Sequence, residues 1–434
     1  MSYSQDRLDK LVEKNRVHRD VYTNPEVFEL EMERLWGRAW IYVGHESQVK
    51  QAGEFITTTI GTEPVVLSRD KSGQVHVLYN RCGHKGAKVA AQKCGKTSMF
   101  RCPYHGWSYH LDGKLNVVPH ACGYDDTDFD MEDPQFSMQP VARMASHRGF
   151  VFASLAADGP DLKTFLGATI ATIDNMCDRS PVGEVEVVGS SLPYMHDSNW
   201  KMFIENLNDA VHPMVAHASV GHSTRKVVDR LPEGAPTPRE AEIISPFGGS
   251  YEFFDSLGCR TMPYGHSFMG GKGSIHSSYS EIPGYMESMV ASYGQEKVDE
   301  ILSQNRHNTT VYPSFTLKDA VQVARVCRPI AVDKTLVESW HFRLVGAPEE
   351  MLHRTITYSR LINSPASMVG PDDWDCYERM QDSLRSESAH WVDMRRFIGQ
   401  EKSEGDVTVS PGTSDQASRN QYKAWNEYMT GEVS

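Results

Sequence analysis

Two short loops constrain this chain more than any other feature. Residues 79–86 read Tyr79-Asn80-Arg81-Cys82-Gly83-His84-Lys85-Gly86, and residues 100–107 read Phe100-Arg101-Cys102-Pro103-Tyr104-His105-Gly106-Trp107. The spacing is Cys-x-His-x17-Cys-x2-His, so each loop carries one thiol and one imidazole. Thiolate and neutral imidazole are ligands for zinc and iron, and four of them on two loops point to a metal-built domain. Zinc fingers usually pair cysteine with cysteine and histidine with histidine. In a mixed-ligand [2Fe–2S] centre two thiolates hold one iron and two imidazoles the other, so the ligands arrive as two Cys/His pairs. The pairing here favours the cluster, with Cys82, His84, Cys102 and His105 as its ligands and a Cys₂His₂ zinc site as the alternative. Gly86 and Gly106 follow the two histidines, as suits loops that turn tightly and aim backbone N–H groups at sulfides.

The surroundings of these loops are β-rich. Between residues 41 and 155, short runs at 53–57, 65–67, 75–79 and 149–152 are punctuated by glycine and read as strands of a small β-domain. Ahead of it, Asn24 as N-cap and Pro25 at the first helical position open a helix. Along it Phe28, Met32, Leu35 and Trp36 recur at i, i+4, i+7 and i+8, so it packs on something larger. Asp158-Gly159-Pro160 marks a boundary, beyond which helical and strand patterns alternate. One strand, 336–344, sets Trp340, Phe342 and Leu344 on one face and His341 and Arg343 on the other. Residues 402–418, rich in Ser, Gly, Thr and Asp, read as a loop or exposed linker. A last helix follows, with Tyr422, Trp425 and Met429 on one stripe.

A second constellation runs Glu205-Asn206-Leu207-Asn208-Asp209-Ala210-Val211-His212-Pro213-Met214-Val215-Ala216-His217. Two histidines and a carboxylate on one face of a metal leave positions open for O₂ and mark non-haem Fe(II) oxygenases. At about 100° per residue, Asp209 and His212 share a helix face, whereas His212 and His217 point roughly 140° apart. Pro213 supplies the break that brings His217 back, since proline removes a backbone donor and clashes with the preceding turn. By itself a pair of histidines five apart is more often structural than ligating.

Taken together these motifs resemble the α (large, catalytic) subunit of Rieske non-haem iron ring-hydroxylating oxygenases. The stretch from about 40 to 155, with its Cys102-Pro-Tyr-His105-Gly-Trp loop, resembles the Rieske domain. Asp209-x2-His212-x4-His217, preceded by Glu205-Asn206, resembles the family's iron motif, and the two sites follow in the family's order. Respiratory Rieske proteins carry an extra cysteine on each loop; Ala87 and Tyr104 stand there, which disfavours that subclass. Lys85 departs from the family's usual arginine, keeping the charge but losing a planar fork. The segment Gly370-Pro371-Asp372-Asp373-Trp374 is similar to that bearing the third iron ligand. Asp373 is chosen, with Asp372 as runner-up; the alternative role for either is a helix N-cap. In the family pattern Asp209 is a bridge rather than a ligand, linking His212 to His105 of a neighbouring chain. Asp209 and Asn206 are the catalytic candidates.

The resemblance implies an α+β chain: an N-terminal Rieske [2Fe–2S] β-domain and a C-terminal helix-grip (START/Bet v1-like) catalytic domain with an antiparallel sheet. The expected divisions are 1–39, a helical segment packing on the catalytic domain; 40–157, the Rieske domain; and 158–434, the catalytic mononuclear iron domain. It also implies a head-to-tail homotrimer, with or without small β-subunits (α3β3), and a small, aromatic substrate hydroxylated with O₂. The run 270–273 is a glycine-rich turn without the strand-to-helix context of a nucleotide loop. Electrons from NAD(P)H must therefore arrive through a ferredoxin, a flavin reductase or both. Cis-dihydroxylation is the leading outcome; a monooxygenase or an oxidative N- or O-demethylase uses the same ligands. A Rieske electron carrier needs only the first domain and leaves the iron motif unexplained, and a zinc-structured binding protein explains neither the pairing nor the order.

Composition fits this reading. The net charge of −13 comes without a clustered basic face, which argues against a nucleic-acid partner. No stretch approaches the roughly 18 apolar residues of a membrane span, and the first fifty residues hold no apolar leader. The eight cysteines, mostly isolated in apolar runs, suit a reducing compartment. The expectation is a cytoplasmic protein.

Overall fold

The computed structural model describes residues 5–272 and 282–431. The chain divides into two compact units: Trp36–Leu162, and Met1–Leu35 together with Lys163–Ser434. Of the glycine run, Gly273 lies outside the described residues. Gly270 to Lys272 end a strand, Ser267–Lys272, rather than forming a turn.

The unit Trp36–Leu162 is built of small antiparallel sheets. Val75–Tyr79, Glu63–Arg69, Glu54–Ile60 and Cys94–Lys96 form one, in that order. Arg143–His147, Phe150–Ser154 and Ile41–His45 form a second, and Leu115–Val117, Ser108–Tyr109 and Phe100–Arg101 a third. Ile41–His45 and Phe150–Ser154 are buried along their whole length, as expected of apolar runs covered on both faces. Val66, Leu78, Phe100, Trp107, Tyr109 and Leu115 share one core with Cys82 and Cys102, so burying apolar surface also draws the two thiols inward.

The second unit is organised on an antiparallel sheet. Its order is Val185–Val187, Lys334–Leu344, Val323–Ala331, Phe315–Lys318, Gln304–Val311, Ser267–Lys272, Cys259–Thr261, Val407–Ser410 and Lys402–Glu404, and Leu192–His196 also pairs with Lys334–Leu344. The two strands at 402–410 correct the reading of that stretch as a loop. Gly405 at φ +67° and Asp406 make a two-residue hairpin turn, and composition alone does not separate such a hairpin from a linker. The strand Lys334–Leu344 is covered on both faces. Thr335, Val337, Ser339 and His341 are buried on one side, Phe342 and Leu344 are buried and Trp340 half-buried on the other. The helix Glu349–Ile362 packs on it.

Helices Trp200–Leu207 and Gln416–Thr430 meet on this sheet, the first against Val323–Ala331, the second against Cys259–Thr261. Asn24 caps Pro25–Glu31, its side chain accepting from the backbone N–H of Glu26 and Val27. That helix delivers Glu31 to the interior, where Lys201 Nζ donates to it at 2.5 Å and the indoles of Trp200 and Trp425 at 2.9 and 2.7 Å. Glu31 and Lys201 are both fully buried. Removing one member of such a pair leaves an uncompensated buried charge and costs about 3–5 kcal/mol. Lys201→Met is therefore expected to lower the denaturation midpoint of this unit markedly, and Lys201→Met with Glu31→Leu to recover part of the loss; urea unfolding followed by tryptophan fluorescence measures both.

Candidate metal centres and the cleft beside them

The two Cys/His loops are built alike. Cys82 N–H donates to Ala87 O and Gly86 N–H to Cys82 O, at 2.9 and 3.0 Å; Cys102 N–H donates to Trp107 O and Gly106 N–H to Cys102 O, at 2.8 and 3.2 Å. Each turn closes through a glycine in the left-handed region, Gly86 at φ +76° and Gly106 at φ +75°, where a side chain would be strained. The loops bring the thiols of Cys82 and Cys102 together in the core and the rings of His84 and His105 to 4.7 Å between centroids. Trp107 stacks on His84, its plane 6° away, and fixes that imidazole. Tyr109 Oη lies 2.9 Å from Cys82 Sγ and accepts the Gly83 N–H, a hydroxyl poised to hydrogen-bond a thiolate. Burial pushes the Cys82 thiol up, the hydrogen bond from Tyr109 opposes it, and the nearby Cys102 adds to the rise. A Cys82 thiol so placed is ionised by a metal rather than by its protein surroundings. His84 Nδ1 is buried without a hydrogen-bond partner. Two thiols on one side, two imidazoles on the other and an orphaned ring nitrogen fit a [2Fe–2S] cluster of mixed ligation.

The second centre differs locally from the single kinked helix expected. Helix Trp200–Leu207 ends before Asp209, a short helix restarts at Pro213, and a third at Ala218. Asp209 therefore shares no helix face with His212. It occupies the turn between helices, its Oδ1 accepting from Val211 N–H at 2.6 Å and His212 N–H at 3.3 Å. His212 and His217 each stand at a helix start, and their rings come to 5.3 Å between centroids. Two breaks, not one, reorient them: the gap between Leu207 and Pro213, whose missing N–H costs nothing at a helix start, and the break at His217 between Pro213–Ala216 and Ala218–Val228.

Helix Gly370–Ser383 brings the aspartates. Neither caps it; its N-cap is Val369, and Ser367 Oγ accepts the Gly370 N–H. Asp373 Oδ1 lies 3.5 Å from His212 Nε2 and 3.2 Å from His217 Nε2, while Asp372 Oδ2 lies 3.2 Å from His217 Nδ1. The two adjacent carboxylates thus address opposite sides of the same imidazole. One ligand atom each from His212, His217 and Asp373 lie within 4.8 Å of one another, close enough to hold a single metal ion. His217 Nε2 is buried with no hydrogen bond of its own. Asn206 Nδ2 spans the set, 3.2 Å from His212 Nε2 and 3.1 Å from Asp373 Oδ1. Two imidazoles and one carboxylate converging this way fit a facial iron site.

Clefts open on both sides of this set. One is lined largely by apolar side chains, including Leu207, Phe247, Phe254, Met269, Ile362 and Val369. The other carries more carboxylates, and this polar cleft reaches Tyr22, Glu205, Met394, Arg396 and Asp415. Asn206, Asp209, His212 and Asp373 line both. Glu205 accepts a 2.5 Å hydrogen bond from Tyr422 Oη; burial raises its carboxyl to about 7, against the opposing hydrogen bonds of Tyr422 and Tyr22.

Mixed Cys/His loops in a β-unit, followed by a two-histidine, one-carboxylate set on an antiparallel α+β unit, define a Rieske non-haem iron oxygenase. Residues 39–126 match the Rieske [2Fe-2S] domain, and residues 185–431 match the ring hydroxylating alpha subunit (catalytic domain). The chain belongs to the ring-hydroxylating alpha-subunit family, oxidoreductases that carry a Rieske cluster and a mononuclear iron. It is 32% identical over 389 residues to the anthranilate 1,2-dioxygenase large subunit of Acinetobacter baylyi, covering 88% of this chain and 80% of that one. It is 28% identical to the toluate 1,2-dioxygenase subunit alpha of Pseudomonas putida, over 99% and 95% of the two chains. Its fold resembles naphthalene 1,2-dioxygenase bound to phenanthrene, at a TM-score of 0.80, 22% identity, and 99% and 95% coverage. A quaternary ammonium Rieske monooxygenase shares the fold at a TM-score of 0.69, 18% identity, and 99% coverage of each chain. Among the described residues no helix is long and apolar enough to cross a membrane.

Proposed function

We propose that this chain is the terminal oxygenase that adds both atoms of O₂ to the ring of a small aromatic substrate, held in the apolar cleft beside His212, His217 and Asp373. One observation carries the reading: the nitrogen and oxygen donors of that set converge on the wall of a cleft lined largely by apolar side chains, Phe247 and Phe254 among them. When bound, the iron supplies open coordination positions for O₂ and the cluster supplies electrons one at a time. Cys82, Cys102, His84 and His105 would hold the cluster. Around the iron, Asp372 would fix the His217 ring through Nδ1, and Asn206 would donate to the Asp373 carboxylate. The apolar wall orients the ring and keeps bulk water from it.

The polar cleft is the face on which the cluster-bearing unit of a neighbouring subunit docks, with Asp209 between His212 and that subunit's His105. A head-to-tail homotrimer satisfies every site in this way, with or without β-subunits. A ferredoxin, a flavin reductase or both feed the cluster from NAD(P)H. The protein works in the cytoplasm, in keeping with eight cysteines that are all free. Monooxygenation on the same scaffold is the second reading, favoured by the shared fold of the monooxygenase above.

Substitution separates the two centres. Cys82→Ser is expected to abolish the cluster's visible absorption, and His212→Ala to remove the mononuclear iron while leaving that absorption intact. Loss of the cluster spectrum in His212→Ala would contradict two independent sites. Product analysis under ¹⁸O₂ then distinguishes two incorporated atoms from one.

A further inference from the structure

The apolar cleft contains two cations that the reading above does not use. Lys318 ends strand Phe315–Lys318, and Arg325 lies on the neighbouring strand Val323–Ala331. Thr316 pairs with Arg325 and Lys318 with Val323, so Lys318 and Arg325 are diagonal neighbours on one face of the sheet. That face lines the cleft beside His212, His217 and Asp373. Lys318 is 5% exposed.

Burying charge costs several kcal/mol unless an opposite charge or a full set of hydrogen bonds compensates. Neither condition is met by the protein alone for buried Lys318, and Arg325 beside it is half-buried. Among the described residues no carboxylate oxygen comes within 4.0 Å of Lys318 or Arg325. Lys318 Nζ donates to Tyr358 Oη at 2.6 Å, with two protons left over. Arg325 Nη2 donates to Asn308 Oδ1 at 3.1 Å, and its plane lies over Phe203, with further N–H groups to spare. Burial, and then the like charge of Arg325, push the Lys318 ammonium well below its ordinary value, with Asp373 only partly opposing. The other carboxylate on the wall, Asp209, is held by backbone amides. A wall meant only for a hydrocarbon ring gains nothing from two such groups; a methionine and a leucine would fill the space without the desolvation cost.

We propose that the cleft takes an aromatic carboxylate, its ring against the apolar wall and its carboxylate between Lys318 and Arg325. A carboxylate is planar and accepts two parallel hydrogen bonds, which the guanidinium fork of Arg325 matches, while the Lys318 ammonium supplies a point charge beside it. The anchored carboxylate fixes which ring edge faces the iron ligands. This assignment rests on the oxygenase reading and names its substrate class.

The test uses the iron-loaded, cluster-containing protein and three acids, benzoate, 2-naphthoate and 3-phenylpropanoate, each beside its own primary amide. Amide and acid have nearly the same shape, so the comparison isolates charge. Calorimetric titration is expected to show at least one acid binding tenfold or more tighter than its amide. Lys318→Met and Arg325→Gln are each expected to reduce that acid-to-amide preference at least tenfold, with the cluster absorption retained as evidence of folding. Acids binding no tighter than amides in the unsubstituted protein would overturn the proposal whether or not the variants fold. O₂ uptake and hydroxylated product, measured with a reductase supplying electrons, test the oxygenase reading separately. Neutral amides bound and oxidised as well as acids would sink the carboxylate assignment alone. Acids bound tightly without O₂ uptake would sink the oxygenase reading, and with it the substrate role of the bound acid.

Discussion

Asp373→Ala is expected to leave the protein folded with its cluster intact and its mononuclear iron lost, whereas Asp372→Ala keeps most of that iron. The two residues are adjacent, both carboxylates, both in the first turn of one helix, and the prediction separates them by what each oxygen faces. Asp373 Oδ1 sits within 3.5 Å of the Nε2 atoms of both histidines. Asp372 faces Nδ1 of His217, on the far side of the ring. A carboxylate in that outer position sets the tautomer and raises the basicity of the imidazole, and its removal costs about 10–100-fold in metal affinity. Loss of the direct ligand removes a third of the donor set and its negative charge, so the loss must exceed that range. Iron analysis after dialysis, normalised to cluster absorption, measures both. Activity should follow, with Asp373→Ala inactive and Asp372→Ala impaired but measurable. Full iron content in Asp373→Ala would move the ligand assignment to another residue.

The sequence makes some of this legible and hides the rest for identifiable reasons. The cluster loops are short-range features: Cys82 and His84, or Cys102 and His105, are so close in the chain that their spacing nearly dictates their geometry. His212 and His217 are also readable from spacing, yet the local structure is not, because a helix stopping at Asn208 leaves no stronger mark than one running through it. Asp372 and Asp373 differ by about 100° around a helix, and only the placement of that helix against His217 decides which side each addresses. Lys318 and Arg325 are further from view. Their sharing of a face depends on the register of two strands, and a lysine ending an apolar run reads as an exposed strand end until the sheet is seen. Residues 402–410 illustrate the opposite error, where polar composition conceals a hairpin whose signal is the pair Gly405-Asp406.

Asp209→Asn is expected to retain both metal centres and slow the passage of electrons from cluster to iron by on the order of 100-fold. The geometry suits a connecting role. Asp209 Oδ1 is occupied by two backbone amides, which hold the carboxylate in place, and lies 3.8 Å from His212 Nδ1. The side chain remains 40% exposed and borders the polar cleft, so an edge of the carboxylate is open to a group arriving from outside the chain. Asparagine preserves the amide-accepting oxygen, and with it the turn between helices. What changes is the open edge: an NH₂ donates where a carboxylate accepts, so the ring N–H of the neighbouring subunit's His105, proposed above to dock there, meets a donor instead of an acceptor. The charge that favours an imidazole N–H on either side is lost as well. Rapid mixing of the fully reduced, substrate-bound variant with O₂, following reoxidation of the cluster, reads the step directly. Iron and sulfide analysis and sedimentation establish beforehand that centres and assembly are intact. Reoxidation at the unsubstituted rate would remove Asp209 from the electron path, and an empty mononuclear site would make it an iron ligand.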